Sequence, residues 1–367
     1  MEADRAQDAQ AWIKAVMMGF HGLEDPRGWL RTILPTLRRS PLYHACATGM
    51  ADDAEIIELL NRVDKEQPLL ILFFTLVNFL LLRERDHPLA RFYPYLTERP
   101  GPAQDSYPSF RDFCLSHRSA LREMLPQARL QTNEVTRCAC LLPAFHLVHR
   151  RGGSKPLALI EIGASAGLNL NWFRYGYTYQ HVLTVGHQDA PVQLHCALQG
   201  DHIPDFPDTL PAVARCIGID LHPLHLHHDA DARWLRAHIW PEETWRYPLL
   251  DAAIRLARQH PARILTGDAC YLLPELLAHL PLEQTVCVFH SFALNQGPPA
   301  VRQQIEQQLA CASRTRPLFQ VALEVAAASR QSPTLELFTY QGGSCRSRER
   351  LAYCALHGEW MRWLASA

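Results

Sequence analysis

A chain of 367 residues is long enough for two domains, or one enlarged domain, with a substantial core. Its composition, 48% hydrophobic and 20% charged, is that of an ordinary soluble protein, and a net charge of −1 excludes the basic surface of a general nucleic-acid binder. Eleven cysteines with no Cys-x-x-Cys spacing exclude a disulfide framework and point to reduced, mostly buried thiols, so a cytoplasmic location is expected.

The opening MEADRAQDAQ is acidic and polar, unlike a signal peptide. The first 150 residues read as helical. Ser40-Pro41 sets an N-cap with proline at the first helical position, and Ile56, Ile57, Leu59 and Leu60 continue on a helical period. Further helices are predicted over 67–84, 109–125 and 131–150. The apolar run LLILFFTLVNFLLL (69–82) falls short of the ~20 residues of a membrane span, so it predicts a buried core helix and no membrane partner. The Pro- and Tyr-rich stretch 87–108 predicts a loop that packs.

From Lys155 the texture changes to alternating strands and helices. Apolar runs at 157–162, 213–219, 262–266, 284–289 and 317–325 are separated by helix-compatible stretches at 166–174, 229–260, 270–280 and 299–313. That alternation predicts an α/β fold with an open, mainly parallel sheet. Residues 177–200 alternate around a turn and predict an inserted hairpin. LELFTY (335–340) and LAYCALHG (351–358), joined by the polar GGSCRSRER, predict a terminal antiparallel pair. The expected organisation is an all-α domain over 1–150 followed by an α/β domain over 151–367.

Chemistry concentrates at the strand ends. LALIEIGASAGLNLNW (157–172) is a strand, a turn with glycines at 163 and 167, and a helix expected from about Ala166, whose N–H groups would face a ligand. A short-chain dehydrogenase with such a turn needs a downstream Tyr-x-x-x-Lys pair. The chain has only Lys14, Lys65 and Lys155, so that machinery is absent. The turn resembles motif I of class I S-adenosylmethionine (SAM) methyltransferases, with Ser165 in place of the middle glycine. That resemblance implies a Rossmann-like domain binding SAM through Glu161, Gly163, Ser165 and Gly167. It also implies Asp220, ending the strand in GIDLHP, on the ribose, and Asp268 after the next strand near the adenine, although a helix N-cap explains Asp268 equally well. VFHSFALNQ (288–296) would then lie beside the transferable methyl, with His290 and Ser291 as catalytic candidates and Asn295 close behind. A satisfied core histidine is the competing reading of His290.

The combination SPLY…GMADD, QTNEVTRCA, EIGASAGLNL…RYGY, GIDLHP…IWP and VFHSFAL resembles a bacterial family of unknown function regarded as methyltransferase-like. The resemblance spans nearly the whole chain and carries no assigned reaction. It implies that Gln131, Asn133, Glu134 and Arg137 lie over the cofactor mouth as substrate contacts, capping plus a solvated helix face being the competing reading. It supplies no acceptor, and a small or medium molecule is the expected one. Arg174, Tyr175 and Tyr177 are expected to pack. His222, His225, His227 and His228 lie in a proline-containing loop with no regular face, so no native metal is expected. The alternative function is a non-catalytic, methyltransferase-like binder of a nucleoside or of a protein partner.

Overall fold

A computed structural model describes residues 26–60, 68–180, 182–325 and 332–364. Contacts divide the chain into two compact units: Met1–Thr132 with His228–Pro248, and Asn133–His227 with Leu249–Ala367. The boundary therefore falls at 132/133 rather than at 150, and a later segment returns to the first unit.

The first unit is helical. It contains α1 (Pro26–Ile33), α2 (Pro41–Met50), α3 (Ala54–Leu60), α4 (Leu69–Leu81), α5 (Tyr107–Ser116) and α6 (Arg118–Met124). Ser40 caps α2 as expected, its hydroxyl accepting from the Tyr43 N–H at 3.2 Å. Helix α4 is buried over nearly its whole circumference and is its core; Tyr43 stacks on Phe74 at 4.2 Å. The polar Asn78 within it is satisfied, donating to the Ala237 carbonyl at 3.0 Å and accepting from the Tyr95 hydroxyl. Ala237 ends α8 (Asp229–Ala237), which the sequence reading had joined into one helix over 229–260. The predicted helical stretch beyond residue 60 lies outside the described residues up to 67. Stretch 87–108 forms short 3-10 turns that bury Leu89, Phe92 and Tyr93, so it packs. Among the described residues no helix is long and apolar enough to cross a membrane.

The second unit is an α/β unit built on a mixed, mostly parallel sheet. Its strands are β1 (Leu157–Ile162), β2 (Gly176–Tyr179), β3 (Leu183–Gly186), β4 (Gln193–Leu198), β5 (Val213–Asp220), β6 (Arg263–Thr266), β7 (Thr285–Ser291), β8 (Leu318–Glu324), β9 (Thr334–Gln341), β10 (Ser344–Cys354) and β11 (Trp360–Trp363), in the order β3-β2-β4-β11-β10-β9-β8-β7-β1-β5-β6. The block β6-β5-β1-β7-β8 is entirely parallel. β2 and β3 form a hairpin shorter than the one expected over 177–200, with β4 added parallel to β2, and β9 and β10 form the expected antiparallel pair. The stretch expected as a polar loop between the latter is mostly strand; only Gly342-Gly343 turns the chain, both at positive φ.

Helices cover both faces of the parallel block. On one side Ala158, Ile160, Ile162, Val286 and Val288 pack with Leu273 and Leu277 of α10 (Ala269–Ala278) and Ile305 and Leu309 of α11 (Pro299–Ala312). On the other, Phe289 meets Phe145 of α7 (Arg137–Arg151) at 5.1 Å, and Phe145 meets Trp172 at 5.0 Å. α9 (Arg246–Gln259) precedes β6. Because side chains alternate along a strand, Glu161 lies on the α7 face while Ile162 and its register partner His290 lie on the α10–α11 face.

Candidate functional site

The order of the parallel strands reverses at β1, where β5 lies on one side and β7 on the other. In open α/β sheets such a reversal splays the following loops and leaves a crevice beyond the carboxyl ends of the strands. Gly163, Ser165 and Gly167 sit in this turn at φ of +75°, +51° and +72°. A Cβ on Gly163 would stand 2.4 Å from that of Ala293, and one on Gly167 2.9 Å from that of Ala262, so both positions require glycine for space as well as for conformation. Gly163 itself is exposed at the mouth.

Most of the turn's amides are engaged within the protein. Gly163 and Ala164 donate to the Ile219 carbonyl at 2.9 and 3.3 Å, Ser165 to Asp220 Oδ2 at 2.7 Å, Gly167 to the Ala164 carbonyl at 2.7 Å, and Leu168 to Asn133 Oδ1 at 2.9 Å. The following helix is a short 3-10 segment, Leu168–Arg174, beginning later than Ala166. The expected fan of helix N–H groups aimed at a ligand is therefore not formed, because Asn133 already caps it.

Glu161 is 1% exposed. Its Oε1 accepts from Asn169 Nδ2 at 3.1 Å, and its Oε2 is buried without a partner. Burial pushes its carboxyl up to about 8; Asp220 adds to the rise, while the Asn169 bond and the Arg137 charge oppose it. Asp220, half-exposed, also accepts from the His222 N–H at 2.8 Å through Oδ1. Asp268, half-exposed, caps α10, its Oδ1 accepting from the Cys270 N–H at 2.8 Å.

Three more segments converge at Arg137, whose charge acts on Glu161. QTNEV is not helical: residues 131–136 form an irregular approach, and α7 begins at Arg137. Asn133 and Glu134 are buried, and Glu134 Oε1 accepts from the Thr136 N–H at 3.1 Å. Arg137 donates from Nε to the Leu356 carbonyl at 3.0 Å and from Nη1 to Ser291 Oγ at 3.5 Å, and lies 4.1 Å above the Phe292 ring. Phe292, a bulky residue at φ +54°, is a backbone outlier at the end of β7. The loop after β10 closes in through Gly358 (φ +88°), where a Cβ would stand 2.6 Å from the Thr136 carbonyl oxygen. Gln131 belongs to the other unit, where its N–H donates to His238 Nε2 at 3.2 Å.

His290 does not join this group. It is 1% exposed on the opposite face; Nδ1 bonds Glu324 Oε1 at 2.7 Å and Nε2 bonds Gln320 Nε2 at 3.0 Å, while Tyr340 donates to Gln320 Oε1 at 2.7 Å. A carboxylate only accepts, so Nδ1 carries the proton and Nε2 accepts from the Gln320 amide. With both nitrogens engaged, His290 is a satisfied core residue, and the expectation of a free base beside a methyl group fails. Ser291, one residue on, projects to the Arg137 side. Asn295 Oδ1 and Ser165 Oγ are, like Glu161 Oε2, buried without a partner. The residues missed by sequence reasoning are Asn169, Phe292 and Gly358; Asn169 and Phe292 lie within the motifs GLNL and HSFAL. Tyr175 and Tyr177 pack, their hydroxyls donating to the Leu168 and Trp172 carbonyls at 2.5 Å each. His222, His225, His227 and His228 are exposed, and among the described residues no cluster of three or more metal-ligating side chains is formed.

No curated protein and no solved structure matches the chain. Residues 36–363 match the family described as "Uncharacterized protein conserved in bacteria (DUF2332)", and the chain belongs to that family.

Proposed function

We propose that this protein is a SAM-dependent methyltransferase acting on a small or medium acceptor. The carrying observation is the glycine turn at the strand-order reversal. The amides of Gly163, Ala164, Ser165, Gly167 and Leu168 are engaged, so it offers no full cradle for a pyrophosphate, while half-exposed carboxylates stand at the ends of β5 and β6. That favours a nucleoside ligand without phosphates. Asp220, held by two N–H groups, keeps lone pairs for ribose hydroxyls; Asp268 stands one strand further out, on the adenine side. Counted along the chain, the parallel block runs 3-2-1-4-5, the arrangement of Rossmann-like nucleotide folds, with β9 antiparallel beside it.

In this reading Gly163, Gly167, Asp220 and Asp268 hold SAM, and Asn133, Glu134, Arg137, Ser291 and Asn295 face the acceptor. Methyl transfer is an in-line displacement at the sulfonium methyl, and the protein contributes chiefly by holding nucleophile and methyl in line. Calorimetry with SAM and its demethylated product tests the proposal first. Binding of either supports it; no binding of either by folded protein refutes it. The second reading is a nucleoside binder without turnover, favoured by the occupied nitrogens of His290. It is supported if SAM binds and is recovered intact after incubation with a panel of amine, hydroxyl and carboxylate acceptors.

A further inference from the structure

Three side-chain oxygens are buried and unpartnered here: Glu161 Oε2 near the end of β1, Ser165 Oγ on the loop after it, and Asn295 Oδ1 on the loop after β7. The two loops touch, Gly163 lying directly against Ala293. Each oxygen is able to accept, and the amides of Gly163, Ala164, Ser165 and Gly167 are already engaged elsewhere, so these three groups lack a donor rather than an acceptor. A buried carboxyl with a single donor, Asn169, is poorly solvated as an anion.

We propose that this crevice takes the ammonium group of a ligand, and that Glu161 holds a proton in the free protein and releases it as that group arrives. The O–H bond of Glu161 breaks, its proton passes to solvent, and the resulting carboxylate accepts an N–H of the ammonium; no electrons are exchanged. The groups facing Glu161 are consistent with this. From α7 come Arg137, already engaged by Leu356 and Ser291, and Cys138, a neutral thiol that burial keeps protonated. From β5 come Asp220, which disfavours a second anion, and Cys216, whose thiol burial pushes up to about 12. Beside Asn169 stands Tyr175, a buried phenol that stays neutral. An incoming cation is therefore the change that makes ionisation of Glu161 favourable. The identification of that cation as the amino-acid tail of SAM rests on the proposed function; the protonated state of Glu161 does not.

Two measurements on the full chain separate these. Infrared spectra of the free protein should show a carbonyl band of a protonated carboxyl at neutral pH, lost toward alkaline pH with a midpoint near 8 and missing in Glu161→Gln. Absence of a Glu161-dependent band overturns the inference, whatever SAM does. Calorimetry in buffers of different ionisation enthalpy, between about pH 5.5 and 7 where an α-amine stays charged, should show about one proton released per SAM or S-adenosylhomocysteine bound. Affinity should rise about tenfold per pH unit across that range. 5′-Methylthioadenosine, which lacks the ammonium, should bind without proton release. Binding of SAM without proton release overturns the inference and leaves the proposed function standing. No binding of any of the three, with the band present, overturns the proposed function and the ammonium step together.

Discussion

Glu161 and Gly163 stand two residues apart at the end of β1 and bring opposite problems to stability. In the folded protein the Glu161 carboxyl keeps its proton up to about 8, whereas its ordinary value is 4.5. Between these values the folded state binds a proton that the unfolded chain has released. This contribution is therefore most favourable below about 4.5, weakens as pH rises, and levels off above about 8. Glu161→Gln keeps the shape and removes the titration. Its melting temperature should exceed that of the wild type by several degrees at pH 8, with the gap closing toward pH 4, as read by calorimetry across that range. Gly163→Ala introduces a strained φ and a clash with Ala293, and should cost about 2 kcal/mol or more by urea unfolding. Adding Ala293→Gly should recover only the steric part, so the double variant stays below wild type. His290 and Ser291 form a second contrast. His290→Ala breaks a buried network and should lose about 3 kcal/mol or more of stability. Ser291→Ala should leave stability within about 0.5 kcal/mol, since its bond to Arg137 is long at 3.5 Å. Equal stability losses in the two variants would contradict the opposite-face assignment.

At the scale of elements, much of the α/β unit was readable as apolar runs between turn signals. β1 occupies the predicted residues, and β5, β7 and β8 differ from them by at most two residues at an end. β1, β7 and β8 are buried on both faces, β5 only in its second half, and a continuous apolar run is the signature of such burial. β10 escaped because one of its faces is wet: Cys345, Arg346, Arg348 and Arg350 are exposed, so the segment reads as a polar loop. The expectation that His290 and Ser291 act side by side failed for a related reason. Which face a residue takes depends on its register with a neighbouring strand, and one sequence does not display register. QTNEV supplies Asn133, which accepts from the first N–H of the helix after the glycine turn, but its irregular backbone was not visible in a propensity pattern. The converging loop at 355–359 carried only a lone glycine as its signal. Within α4, Asn78 serves as the connector to α8. Asn78→Leu should leave the Ala237 carbonyl and the Tyr95 hydroxyl without this partner and cost about 1–3 kcal/mol in chemical denaturation, despite the higher hydrophobicity of leucine.

For the whole molecule, the organising fact is that the first unit is discontinuous in sequence. Leu42 donates to Glu242 Oε1 at 2.9 Å and Asn78 to Ala237 at 3.0 Å, so its two pieces are joined by buried hydrogen bonds. A fragment ending at residue 132 should therefore lack a cooperative thermal transition, while one in which residues 228–248 are fused back through a flexible linker should regain it; circular dichroism melts of the two decide this. Equal cooperativity in both would mean that the returning segment is dispensable.

The same discontinuity sets a timetable during synthesis. The carbonyl that Asn78 requires is made 159 residues after it. At roughly 5–20 residues per second, translation delivers it on the order of ten seconds later. Throughout that interval the apolar surface of Leu69–Leu81 has left the ribosome without the helix that completes its core. The nascent chain is then a substrate for holding chaperones, and the yield of folded protein should depend on translation speed between Asn133 and His228 more than anywhere else in the chain.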